Sequence, residues 1–452
     1  MAKTLKNILM TGVFMTGLSL SMMASPAQAE ELDLTDAVTR GMLTNPEYGV
    51  VANNRRATDE ELTQAKGLFL PSVDLRADTG PEYTDDVGTR NDGDNDREET
   101  HWRYDVSATL TQMLFDGFSS KSEVERQLSR VKSAAHRVDE TAEFVALDVV
   151  ESYLEVLRQR ELLAIARSNV QEHLAMLNEI RSAENAGRST AADIAQAEAR
   201  LASARANEAT VRQSLRDSEA LFIREVGEKP DLLVIPSLPV DAVTPTIDEA
   251  VRVALDESPT LEIFASDMNV AWAEFEATGS TFYPNVDLQL NARQSDNVGA
   301  IEGLDQSASA LVVMNWNVYR GGIDTARRRE HVYRHAQSKE NRVEAARKVE
   351  SDVRQTWAAM VASGERAVEY SAQAEANERV VAAYKDQFEL DRRSLLDVLD
   401  AQNELFVSRS NTVSAEYLEM LAVFRLLALQ GRLLEALNVD APYEAIVQDV
   451  RQ

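Results

Sequence analysis

The stretch FLPSVDL, residues 69–75, returns 213 positions later as FYPNVDL, residues 282–288. After each proline the chain alternates. Val73, Leu75 and Ala77 are interleaved with Ser72, Asp74 and Arg76, and Val286, Leu288, Leu290 and Ala292 with Asn285, Asp287, Gln289 and Asn291. Period two predicts strands with one apolar and one polar face. The same offset of 213 relates LTDAVTRGMLTNP, ending at Pro46, to IDEAVRVALDESP, ending at Pro259.

A third pair of landmarks, LFDG at 114–117 and VYRG at 318–321, repeats at an offset of 204. The first half therefore carries nine extra residues between landmarks, and its insert holds TDDVGTRNDGDNDREE, which reads as a loop. Partner strands follow the same rule. Trp102, Tyr104, Val106, Ala108 and Leu110 oppose Arg103, Asp105, Ser107, Thr109 and Thr111, while Ala308, Ala310, Val312, Met314 and Trp316 alternate less cleanly because Leu311 and Val313 interrupt. Four strands result, each long enough to cross a bilayer when tilted.

Most of the remainder has a helical period. Residues 119–185 contain neither proline nor glycine, and Phe144, Leu147, Val150, Leu154 and Leu157 recur along them. Residues 323–390, interrupted only by Gly364, form the repeat-mate. At 1.5 Å per residue such helices span on the order of 100 Å. The next helices begin near Thr190 and Ser394, the first with a seam of Ile194, Ala197, Leu201 and Ala204. Four of the eleven prolines fall in 227–246, which cannot be one continuous helix. The organisation expected is a first repeat over 30–226 with its strand pair in 68–115, a linker over 227–246, a second repeat over 247–437 with its strand pair in 281–320, and a tail over 438–452.

Residues 1–29 read as a secretory signal peptide, with Lys3 and Lys6, an apolar core and Ala27-Gln28-Ala29 before Glu30. Its removal would take the net charge from −28 to −30, because two lysines leave. There is no cysteine, hence no disulfide and no lipidated N-terminal cysteine. No later run is apolar enough for a transmembrane helix, so membrane entry would be as a barrel. The acidic balance argues against nucleic acid. Four strands cannot close a barrel, and an open edge in lipid is forbidden. Oligomerisation is therefore required, and three chains would supply twelve strands.

The duplicated NP/SP and FLPSVDL/FYPNVDL signatures, NWNVYRGG at 315–322 and RRSLLDVLDAQNEL at 392–405 together resemble the TolC family of outer-membrane channels over nearly the whole mature chain. The resemblance implies an α+β membrane protein: a homotrimer whose twelve-stranded outer-membrane barrel continues into a coiled-coil helical tunnel in the periplasm of a Gram-negative cell. It implies a passive exit duct working with a periplasmic adaptor and an inner-membrane ABC transporter or proton-driven pump. The type I protein-secretion branch matches better than the lipoprotein drug-efflux branch; a drug-efflux channel and a non-channel scaffold or adhesin are the alternatives. No cofactor or enzymatic activity is expected.

Asp397 and Asp400 share a helix face, and a carboxylate pair can be an acid/base couple, a cation site or a solvated helix edge. A hydrolase pair needs to flank a substrate, which one helix face does not allow, and no phosphate loop or nucleophile elbow accompanies it. Residue types alone point to a solvated helix start. The resemblance implies instead that Asp397 and Asp400 ring the periplasmic aperture and that Arg393 latches it. The first half has Asp193 at the position of Asp397 but Gln196 at that of Asp400. Gly187, Arg188 and Arg392 are expected at the adaptor-docking tip, where the second half has Asp391 in place of the family's glycine. Trp102, Tyr104 and Trp316 are candidates for an aromatic girdle. His331 and His335, beside Arg327, Arg328 and Arg329, read as a basic face just below the membrane, with contact to anionic head groups as a second reading. Asp92, Asp94 and Asp96 invite a calcium reading, but Arg103 stands where an EF-hand needs glutamate, leaving a solvated loop.

Overall fold

The computed structural model describes residues 31–85, 87, 99–299, 301–390 and 392–447. The signal segment, Asp92, Asp94 and Asp96 of the first-half insert, and Asp391 lie outside the described residues.

Each half opens with two helices meeting at a proline. In the first, α1 (Leu34–Thr44) ends and α2 (Pro46–Gly67) begins at Asn45, whose side chain accepts from Glu47 N at 2.8 Å. In the second, α5 (Ile247–Glu257) and α6 (Pro259–Ala277) meet at Ser258. Proline suits a first helical position because its missing N–H has no intrahelical partner there. The residue before it is pushed to extended backbone, and Asn45 and Ser258 have ψ of 122° and 123°. The duplicated NP/SP signature is thus a duplicated helix break.

Strands begin one residue after Pro71 and Pro284: β2 (Ser72–Thr84) pairs with β3 (Glu99–Phe115), and β5 (Asn285–Val298) with β6 (Ile301–Asn315). One antiparallel sheet joins the halves in the order β2-β3-β5-β6. Its register stacks Val73, Leu110, Leu290 and Ala310 in one row and Leu75, Ala108, Ala292 and Ala308 in the next. Asp74, Thr109, Asn291 and Ser309 form a row of the opposite face. Directly opposed residues share a face, so the apolar sides of all four strands coincide. Leu75, Val106, Val312 and Met314 are exposed on it. Trp316 lies just past the end of β6 rather than within it.

The helices α3 (Ser119–Asn185) and α7 (Ile323–Glu389), 67 residues each, turn back into α4 (Ala191–Val226) and α8 (Leu395–Leu429). No helix among the described residues is long and apolar enough to cross a membrane. Along α3 the expected seam is buried at Leu147, Val150, Leu154 and Leu157, but Phe144 is exposed beside a cavity lined by α6, α7 and α8. Midway along the hairpins, a core of Val38, Val150, Tyr153, Phe222, Phe424 and Leu427 gathers the short elements. The segments β1 (Glu31–Leu32) and β4 (Leu232–Leu233) pair in parallel there. Tyr153 Oη accepts from Val234 N at 2.8 Å and lies 2.8 Å from Leu32 O, stapling both to α3. The short α9 (Leu433–Ala436) completes the level.

Candidate functional site

The two hairpins end together. Val170, Met176, Leu177, Ile180, Ala197, Leu201, Leu395, Val398 and Leu399 form one buried cluster, bringing the expected seam of α4 against the start of α8. At the turn of the first hairpin, Arg188 N donates to Ala183 O and Gly187 N to Glu184 O, both at 2.8 Å, with Gly187 at φ 71°. This pair of bonds satisfies the last carbonyls of α3 and needs a left-handed residue, which glycine supplies most easily. The second hairpin repeats the outer bond, Arg392 N to Gln387 O at 2.9 Å, without a glycine in the turn. Arg188 and Arg392 are exposed at corresponding places.

Both returning helices start with a capping box. Thr190 Oγ1 accepts from Asp193 N at 3.3 Å and Asp193 Oδ2 accepts from Thr190 N at 2.9 Å; Ser394 and Asp397 make the same exchange at 3.2 and 3.3 Å. Hydrogen bonds from the Thr190 hydroxyl and backbone, and then Ser189, hold the Asp193 carboxyl below the usual range. Asp397 therefore has a structural duty as the reciprocal cap of α8, which the solvated-helix reading anticipated in part. Arg393 reaches it at 3.8 Å, while its guanidinium lies 4.0 Å from the Tyr384 ring centroid and its Nε donates to Gln387 at 3.3 Å. The arginine is held between the last turns of α7 and the first of α8.

Asp400 points elsewhere. Arg200 on α4 donates to it at 2.6 Å, crossing from the first half to the second. Lys385 and Glu172, at 2.6 Å, tie α7 to α3. Sequence reading singled out neither Arg200 nor Lys385. The only signal for Arg200 was its place two turns beyond Asp193 on the same face of α4.

At the far end of the molecule, Trp102 and Tyr104 project from β3, and Trp102 Nε1 donates to Thr79 Oγ1 at 2.9 Å. They stand near the distal rim of the sheet, whereas Trp316 stands at the rim that joins α7. On the polar face Arg103 meets Asp78 at 2.7 Å and Glu82 at 3.1 Å, and Arg293 forks onto Asp105 at 2.9 and 2.6 Å. His331 Nδ1 lies 4.0 Å from Glu274, and His335 packs on Trp272. Both histidines face α6.

The outer membrane efflux protein family model matches residues 43–227 and 250–432. The chain belongs to that family. Among its relatives, the outer membrane efflux protein BepC of Brucella suis biovar 1 is 24% identical over 95% of the chain and 91% of its own length. The outer membrane protein TolC of Salmonella enteritidis is 24% identical, covering 89% and 82%. The alkaline protease secretion protein AprF of Pseudomonas aeruginosa is 22% identical, covering 90% and 85%. A solved membrane protein from Pseudomonas aeruginosa superposes with a TM-score of 0.77 at 17% identity, covering 88% of this chain and 90% of that one. The chain thus has the TolC-like fold, and as a member of the outer-membrane family it contributes its four strands to an outer-membrane barrel and its hairpins to a periplasmic helical tunnel. Its family consists of passive outer-membrane channels.

Proposed function

We propose that three copies of this protein form the exit duct of a tripartite system for type I protein secretion, with an inner-membrane ABC transporter and a periplasmic adaptor. The observation that carries the channel reading is the sheet: four strands with a continuous apolar face, both edge strands open, joined directly to helices about 100 Å long. Only closure with further copies removes those edges. The secretion reading is supported by likeness to a protein named for alkaline protease secretion and by the lack of a cysteine for lipid attachment. Likeness to BepC, named as an efflux protein, favours small-molecule efflux as the second reading.

In this reading Asp397 and Asp400 form carboxylate rings around the periplasmic aperture, Arg393 and Arg200 hold the closed arrangement, and Asp193 caps the equivalent helix of the first half. The tip at Gly187, Arg188 and Arg392 is the adaptor's docking place, and Trp102, Tyr104 and Trp316 lie at the two membrane interfaces. Deleting the gene and comparing the exported proteome with sensitivity to toxic small molecules tests the function. Loss of a secreted protein with unchanged sensitivity supports secretion; the reverse supports efflux; loss of neither overturns the exit-duct reading.

A further inference from the structure

We propose that the arginine-rich start of α7 binds anionic phospholipid head groups of the periplasmic leaflet. The level follows from the sheet. The apolar rows run down to the Val286–Met314 pair, Trp316 lies just beyond, and α7 begins at Ile323. Residues 327–329 sit roughly 6–9 Å along the axis from that start, within the zone of head groups that flanks the hydrocarbon. Around them Val318, Tyr319, Ile323 and Tyr333 are exposed, an apolar and aromatic collar of the kind found where membrane meets water.

Charge singles out this half. Residues 320–334 hold five arginines against Asp324 and Glu330, in a chain whose net charge is −28. The corresponding stretch of the first half, 116–130, has three basic residues against three acidic ones. Those three are matched, Lys121 with Glu125, Arg126 with Glu123 and Arg130 with Glu61. In the second half, Arg320 just before α7 pairs with Asp324, Arg334 pairs with Glu330, and Arg328 stacks over Phe275 at 4.6 Å. Arg327 and Arg329 are exposed and form no salt bridge among the described residues. Arg328, His331 and His335 face α6, so Arg327 and Arg329 project from the two flanks that α6 leaves uncovered. A surplus of arginine at head-group depth on an acidic protein complements phosphate esters, and long arginine side chains keep their stems on the apolar collar while the guanidinium reaches the phosphate.

The test is native mass spectrometry of the full-length protein in mild detergent, with phosphatidylglycerol and phosphatidylcholine offered in equal amounts. The parent should retain phosphatidylglycerol preferentially. Arg327→Ser and Arg329→Ser should each lower that preference about fivefold, as expected for one basic residue at a membrane surface. Equal retention of the two lipids by the parent, or unchanged preference in both variants, overturns the inference. So does full competition by millimolar inorganic phosphate, which would make this a free-anion site, or dissociation of the oligomer by either substitution, which would assign the patch to the subunit interface. None of these outcomes depends on what the channel exports, so the inference and the secretion reading fail separately.

Discussion

At the residue scale Asp397 and Asp400, proposed for the aperture, are each already engaged within the chain, Asp397 with Ser394 and Asp400 with Arg200, and that decides how they must be tested. Asp397 is the reciprocal partner of Ser394 in the capping box of α8 as well as carrying charge, so alanine would remove a hydrogen bond contributing about 1 kcal/mol together with the charge. Asparagine keeps a capping oxygen. We expect Asp397→Asn/Asp400→Asn to weaken block by a trivalent cation added on the periplasmic side of single channels in planar bilayers, since rings of three carboxylates favour multivalent cations. Block as strong as in the parent would return both residues to the solvated helix edge. Arg393→Ser should raise resting conductance in the same assay, because the contacts to Tyr384, Gln387 and Asp397 are lost together. A second residue-scale prediction concerns Gly431, which has φ 70° and whose missing Cβ would lie 2.6 Å from Pro259 Cδ. Gly431→Ala meets both a left-handed backbone and a collision, and should destabilise by roughly 1–3 kcal/mol. A melting temperature equal to the parent's would contradict it.

At the element scale, what could be read in advance was whatever local chemistry dictates. Asn45-Pro46 and Ser258-Pro259 announce helix breaks, Thr190 with Asp193 and Ser394 with Asp397 announce helix starts, and alternation announces strands. Contacts made across long sequence separations were not legible. Nothing in the local sequence of β3 says that it pairs with β5 of the other half, nor does Arg200 name Asp400. The register sharpens the strand prediction. Leu288 and Leu290 stand on the apolar face and Gln289 and Asn291 on the polar one. Single cysteines, placed in a chain that has none, should label oppositely. With the protein in lipid, a water-soluble maleimide should reach positions 289 and 291 and spare 288 and 290. Equal labelling would rule out a lipid-facing apolar side.

At the scale of the whole molecule, the level where the short elements gather holds a buried carboxyl group. Glu143 on α3 is 3% exposed and accepts from Leu433 N at 2.9 Å and Leu434 N at 3.3 Å, which seats α9 against the long helix. Burial pushes its carboxyl up to about 8, against the partial relief of those two bonds. The folded protein thus holds this proton more tightly than the unfolded chain. The resulting stabilisation is complete below the unfolded value near 4.5 and is lost as pH rises toward 8. We expect the melting temperature to fall over that interval, and Glu143→Gln to flatten the fall, the difference amounting to on the order of 4 kcal/mol at pH 8. Parallel profiles for parent and variant would show that Glu143 is ionised throughout.

The mismatch between the two hairpin tips has a consequence for stoichiometry. Asp400 answers to Gln196, and Arg200 to Glu404, so the ion pair that crosses from α4 to α8 has no mirror image in the repeat. An assembly of three chains would present six hairpin ends in two chemically distinct sets of three, alternating around the axis. Identical partner molecules seated there would saturate in two steps, three tighter and three weaker.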